Sequence, residues 1–259
     1  MKYVRIKFNG QPSWGELSHE SVHLLDQAPY EGGQKTGKVL ALSDCELLAP
    51  CQPSKIVAVG KNYHDHIKEF DAQVPERPIL FIKPSTAIQD PGKPIVLPTQ
   101  TLSSRVDYEG ELALVIGKKA SHVSVADATQ YILGYTILND VTARDLQKLD
   151  GQWTRAKGFD TFAPVGPILT DEVDPAHLQI TTTLNGHVRQ QESTAQLIWS
   201  IPELLAFITQ AMTLLPGDVV TTGTPAGVGP MLATDTVAVT IEGIGTLQNP
   251  VIASSYSQD

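Results

Sequence analysis

The chain is poor in cysteine, with Cys45 and Cys51 its only two. That excludes a disulfide framework, and no partner set for a zinc site surrounds them. Long apolar runs are absent too. None approaches the roughly 18 residues that span a bilayer, so no membrane partner is expected. The opening Met1-Lys2-Tyr3-Val4-Arg5-Ile6-Lys7-Phe8 alternates charged and apolar residues like a strand and lacks the apolar core of a signal peptide. A reduced, cytoplasmic protein is the expectation. Basic residues are scarce: 19 Lys and Arg against 28 Asp and Glu give a net charge of -9, with no Lys/Arg-rich stripe. No nucleic-acid partner is expected. A small anionic substrate stays compatible, because a bound cation reverses the local field. Neither a Walker phosphate loop nor the Rossmann glycine spacing occurs, and there is no internal repeat.

The 41% hydrophobic and 18% charged content is that of a soluble globular protein. Strand-like stretches at 2–8, 14–18 and 21–25 lead into the polar, Gly-rich segment 29–37. Residues 1–52 read as a small N-terminal β-rich domain; Leu47-Leu48-Ala49-Pro50 and Gln52-Pro53 mark the boundary with a main domain, 53–259. That domain opens with a buried strand, Lys55-Ile56-Val57-Ala58-Val59-Gly60. Strand signals recur at 78–83, 94–97, 106–116, 132–140, 162–169, 178–184, 187–191, 218–222, 235–242 and 245–252. Asn185-Gly186 between two alternating runs predicts a two-residue hairpin. Helices are predicted at 124–131 and at 201–212, the second introduced by the capping box Ser200-Ile201-Pro202-Glu203. The pattern is a β-dominated α+β fold rather than an alternating α/β one.

Four segments carry candidate chemistry. In Asp107-Tyr108-Glu109-Gly110-Glu111 the two glutamates share one face of a strand that runs into the apolar Leu112–Ile116. Two such carboxylates beside a core repel and resist desolvation unless a cation lies between them; the other reading is a solvated strand face. Asp140 closes the apolar run 135–140, as a ligand or as the N-cap of a following helix. Three oxygen donors would suit Mg²⁺ or Mn²⁺, with Ca²⁺ as a further option. In His64-Asp65-His66-Ile67-Lys68-Glu69, a helix would bring His66 and Glu69 together, and a carboxylate on an imidazole makes it a better base; the other reading is a surface ion pair. Lys157, among aromatic and small residues, could stabilise an enolate or fix a carboxylate, or be a snorkelling surface lysine. The glycines of Thr222-Gly223-Thr224-Pro225-Ala226-Gly227-Val228-Gly229 could present N–H groups to a carboxylate.

Together these segments resemble the fumarylacetoacetate hydrolase superfamily over roughly residues 53–253, in the family's order. The matching stretches are Gly60-Lys61-Asn62-Tyr63 with His66 and Glu69, Asp107–Glu111, Asn139-Asp140 with Arg144 and Gln147, Trp153 with Lys157-Gly158-Phe159-Asp160, Pro216-Gly217-Asp218, and Thr222–Gly229. The resemblance implies a mixed β-sandwich roll, a homodimer, and Mg²⁺ (or Mn²⁺) held by Glu109, Glu111 and Asp140. It implies a catalytic dyad of His66 and Glu69 on a lid helix, Lys157 and Thr224 (with Gly223) at substrate-contacting positions, and Arg144 and Gln147 lining the pocket. The substrates it implies are small 2-oxo acids of 1,3-dicarbonyl or enol character, cleaved as acylpyruvates or decarboxylated as oxaloacetate. Alternatives are an isomerase or tautomerase of 2-hydroxyhepta-2,4-diene-1,7-dioate or oxaloacetate and, outside enzymes, a calcium-stabilised β-sandwich binding protein.

Overall fold

A computed structural model describes residues 1–69 and 71–255. Strands dominate, as expected, in sheets of 12, 5 and 3 strands. Through the largest sheet run Gly110–Ile116, Ile132–Asn139 and Ala163–Thr170, antiparallel to one another in turn, with Val219–Thr221 and then Ile56–Gly60 on the other side of Gly110–Ile116. Leu112, Leu114 and Ile116 pack on one face of this sheet against Leu204, Leu205 and Ile208 of the helix Ile201–Ala211; Ala113 and Val115 pack on the other face against Leu138, Val165 and Val219. A strand buried on both sides explains why this run is continuously apolar.

The N-terminal strand Lys2–Phe8 pairs with Gln11–Ser18 and also with Ala163–Thr170, so the large sheet continues into the first fifty residues. The turn Asn185-Gly186 has φ +53° and +77°, as a two-residue hairpin of this hand requires, and both halves of the Ser200–Glu203 capping box form. Among the described residues no helix is long and apolar enough to cross a membrane.

Two expectations need correction. The segment 124–131 is not a helix: only Ala128–Tyr131 forms a 3-10 turn. Ser124 caps Asp127 through its hydroxyl, and Val125 is exposed, so no apolar stripe holds a longer helix down. Conversely, the polar segment after Pro29 gives way to a strand, Lys35–Ala41, at the sheet edge.

What positions the candidate site is a change of sheet. Gly110 pairs with Asn139 in the large sheet, whereas Asp107 pairs with Thr142 in the three-stranded one. Both chains leave the large sheet at the same level, where the Asp140 N–H donates to the Glu109 carbonyl at 2.8 Å. Glu109 and Asp140 are therefore neighbours because two paired strands turn together.

Candidate active site

Glu109, Glu111 and Asp140 each place a carboxylate oxygen within 4.8 Å of the others. They keep only 5%, 1% and 1% of their accessible surface, which overturns the solvated-face reading of the glutamates. Asp140 is not a helix cap either. The helix that follows, α1 of the site (Arg144–Asp150), has Ala143 at its N-cap, and the Asp140 carboxylate is spent on two lysines.

Lys157 lies in a single helical turn, Thr154–Lys157, and is 2% exposed, so it does not snorkel. Its ammonium donates to Glu109 Oε2 at 2.8 Å and to Asp140 Oδ2 at 2.5 Å, and lies 5.0 Å from the centre of the Phe81 ring. Burial alone would lower its pKa, but Asp140 and Glu109 outweigh that and hold it above the ordinary lysine value. Lys83, which the sequence did not single out, donates to the other Asp140 oxygen at 2.6 Å and to the Val141 carbonyl at 3.2 Å, and is fully buried. Its desolvation outweighs Asp140 and lowers its pKa.

Arg144 donates through Nε to Asp107 Oδ2 at 2.9 Å, through Nη1 to Gln147 Oε1 at 2.7 Å, and through Nη2 to Glu109 Oε1. Burial would raise the Glu109 pKa, but Lys157 and Arg144 hold it well below the usual carboxylate range. Glu111 behaves oppositely. Burial and the neighbouring charges of Asp140 and Glu109 push it well above its ordinary value, and its Oε2 accepts the Gly223 N–H at 2.9 Å. No cation pairs directly with Glu111 among the described residues.

The helix His64–Glu69 turns His66 inward and leaves His64 exposed. His66 Nδ1 lies 3.3 Å from Glu69 Oε2, and Gly227 donates its N–H to both Glu69 oxygens at 3.2 Å. The glycine segment thus gives N–H groups to carboxylates, but they are the protein's own: Gly223 serves Glu111 and Gly227 serves Glu69. The Thr224 hydroxyl donates to the Gly110 carbonyl at 2.9 Å and accepts from Gln190 at 2.7 Å. Gln190, fully buried, also accepts the Gly110 N–H, and Asn62 ties Thr222 to Trp199. Gln190 carried no local sequence signal; Asp107 stood in the matched Asp107–Glu111 stretch without a role of its own.

A cavity of about 250 Å³ opens onto this cluster, lined by Glu109, Glu111, Asp140, Lys157, Arg144, Gln147, Thr224 and His66 together with Lys61, Lys148 and the apolar Ile67, Phe81 and Trp153. Gly60 lets Trp153 form one wall: a β-carbon there would lie 2.6 Å from the indole. An all-oxygen donor set that lines a cavity, with no cation paired to Glu111 among the described residues, fits a hard divalent ion.

Known proteins resemble the chain over most of its length. The family model "Fumarylacetoacetate (FAA) hydrolase C-terminal" matches residues 55–252, and "Rv2993c-like, N-terminal" matches residues 1–50. Protein Rv2993c of Mycobacterium tuberculosis is 52% identical over 92% of this chain and 90% of its own. Oxaloacetate tautomerase YisK of Bacillus subtilis is 42% identical over 82% of this chain and 76% of its own. Among solved structures, a 2-hydroxyhepta-2,4-diene-1,7-dioate isomerase from Mycobacterium marinum superposes with a TM-score of 0.91 at 46% identity, covering 99% of this chain and 100% of that one. A maleylpyruvate hydrolase from Sphingobium sp. SYK-6, solved with manganese(II) and pyruvate, gives 0.80 at 29% identity, covering 98% and 100%. With a family match spanning the whole main body and relatives named for tautomerase, isomerase and hydrolase activities, this chain belongs to the fumarylacetoacetate hydrolase family.

Proposed function

We propose that the chain is a divalent-metal-dependent enzyme of 2-oxo acid chemistry, acting on 1,3-dicarbonyl or enol substrates. Acylpyruvate-type C–C hydrolysis or oxaloacetate decarboxylation is the leading reaction. The observation that carries this reading is the buried Glu109-Glu111-Asp140 cluster facing a cavity that His66 and Lys157 also line. In it, the three carboxylates hold Mg²⁺ or Mn²⁺. Such an ion, when bound, supplies Lewis acidity toward the carboxylate and keto oxygens of a 2-oxo acid. Lys157, kept charged by its surroundings, adds positive charge where an enolate develops. Arg144 and Gln147 line the cavity, and Arg144 also braces the Glu109 carboxylate.

For hydrolysis, His66, oriented by Glu69, takes a proton from water as the oxygen adds to the distal carbonyl. The C–C bond then breaks, its electron pair leaving as pyruvate enolate, which is protonated afterwards. Decarboxylation releases CO₂ and leaves the same enolate without attacking water. Proton transfer alone would give the tautomerase or isomerase reaction named for two of the relatives. His66→Ala should therefore lower acylpyruvate hydrolysis by about 100-fold or more while largely sparing oxaloacetate decarboxylation. Steady-state assays with Mg²⁺ and Mn²⁺ measure this. Undiminished hydrolysis would remove His66 from water activation, and no turnover of any 2-oxo acid with either ion would favour the binding-protein alternative.

Gly227 provides a second test. Its φ is +101°, and a β-carbon would lie 2.0 Å from the Arg189 carbonyl, so Gly227→Ala must displace the loop that donates to Glu69. A drop of about 100-fold in kcat, with a smaller change in KM, is the expected result if Glu69 orients His66. Kinetics matching wild type would mean the Gly227 contact leaves the base unaffected. The division near residue 52, the homodimer and the cytoplasmic location remain part of this proposal. Light scattering of the purified chain tests the dimer.

A further inference from the structure

The charges that line the cavity are unevenly committed. Its acids are Glu109, Glu111 and Asp140, all at the buried end. Of its cations, Arg144 and Lys157 are bound to Asp107, Glu109 and Asp140. Lys61 and Lys148 also line the cavity, yet neither side chain makes an ion pair or hydrogen bond among the described residues.

Their placement is specific. Lys148 follows Arg144 and Gln147 on α1 of the site at spacings of four and one, so Arg144 and Lys148 share a helix face. Lys61 sits where the strand Ile56–Gly60 gives way to the lid, at φ +57°, a left-handed conformation that an L-residue adopts at some cost. Exposure grades outward: the acids are buried, Lys61 is half-buried and Lys148 exposed. Ile67, Phe81 and Trp153 add apolar wall to the same cavity, Phe81 lying against the Lys157 ammonium. In a chain of net charge -9, the outer half of this cavity is thus cationic with no acid among its lining residues. Low-dielectric apolar walls in a charged cleft focus such a field.

We propose that Lys61 and Lys148 form a distal carboxylate subsite, so that the chain selects 2-oxo acids carrying a second carboxylate at the far end. The proposal rests on the reading of the buried end given above. The 2-oxo carboxylate engages the floor, the reactive carbons lie beside the apolar walls, and the terminal carboxylate meets the two lysines. A substrate ending in a neutral group would leave both cations without a partner, and the selectivity is that difference.

The test compares two acylpyruvates that undergo the same hydrolysis: fumarylpyruvate, which ends in a carboxylate, and acetylpyruvate, which does not. Oxalate, whose two carboxylates are adjacent and which has no distal group, serves as a probe of the floor. Wild type should bind oxalate in the presence of Mn²⁺ and favour fumarylpyruvate in KM, the preference shrinking as ionic strength rises. In Lys61→Met and in Lys148→Met, the fumarylpyruvate KM should rise about tenfold relative to that of acetylpyruvate, and Lys148→Arg should recover part of the loss. A parallel change for both substrates, or an unchanged preference in both variants, overturns the subsite while oxalate binding keeps the floor intact. Failure of wild type to bind oxalate overturns the reading of the floor, and the subsite falls with it.

Discussion

Asp140→Ala is expected to weaken Mg²⁺ or Mn²⁺ binding by at least about 100-fold and to destabilise the metal-free protein by about 3 kcal/mol. Both effects come from one carboxylate. Its two oxygens accept from Lys83 at 2.6 Å and Lys157 at 2.5 Å, and both lysines are essentially fully buried. Removing it strands Lys83 with only the Val141 carbonyl at 3.2 Å, while Lys157 keeps Glu109. Breaking a buried pair from one side costs far more than the pair is worth, because the desolvated partner remains. A fall in Tm of about 6–12 °C follows for a chain of this size. Calorimetric Mn²⁺ titration and thermal scans of the metal-free protein measure the two effects separately. Wild-type Mn²⁺ affinity in the variant would show that the acidic cluster is not the metal centre. Asp140→Asn, which keeps the shape but not the charge, separates lost ligand chemistry from lost packing.

How far the site could be read from the sequence depends on how local each determinant is. The capping box at Ser200–Glu203 and the hairpin at Asn185-Gly186 were legible because the atoms that make them are within three residues of one another. The Glu109–Glu111 spacing was legible for the same reason. That Asp140 joins them was not a matter of spacing: it follows from the pairing of Gly110 with Asn139 and the shared turn out of the sheet, whereas its place at the end of an apolar run left a ligand and a helix N-cap both open. Lys83 was passed over because a lysine closing Ile79-Leu80-Phe81-Ile82 looks like the wet end of a strand. Its burial is set by Asp140, 57 residues away. The edge strand Lys35–Ala41 escaped detection because almost all of it is exposed, so it presents no apolar face to alternate with. Gln190 illustrates the same limit from the other side. A single glutamine in an exposed-looking strand gave no signal, yet its amide fixes Gly110 and Thr224 together.

Asp218 is where stability and site geometry meet, and Asp218→Ala is expected to cost about 3–4 kcal/mol at neutral pH. The side chain is fully buried and accepts from five donors: the N–H groups of Ser54, Lys55 and Leu215, the Ser54 hydroxyl at 2.7 Å and the Lys55 ammonium at 2.5 Å. Burial by itself would raise its pKa, but the Leu215 N–H, Lys55 and Ser54 outweigh that and hold the carboxyl below its usual value. A lowered folded-state pKa fixes the sign. As pH falls, the unfolded chain takes up the proton first, so the stabilisation is whole above the unfolded value of about 3.9 and drains away as pH drops through the folded one. Urea unfolding of wild type and Asp218→Asn should therefore show a gap that is constant from pH 7 to about 5 and closes toward pH 3. A gap that widens on acidification would contradict the assigned sign. The same contacts clamp the start of Ile56–Gly60 against Val219–Thr221, which pair in parallel through Ile56 and Val219. Lys61 and Thr224 lie just beyond the far ends of those strands, so loosening the clamp should also raise KM for 2-oxo acid substrates under conditions where the variant remains folded.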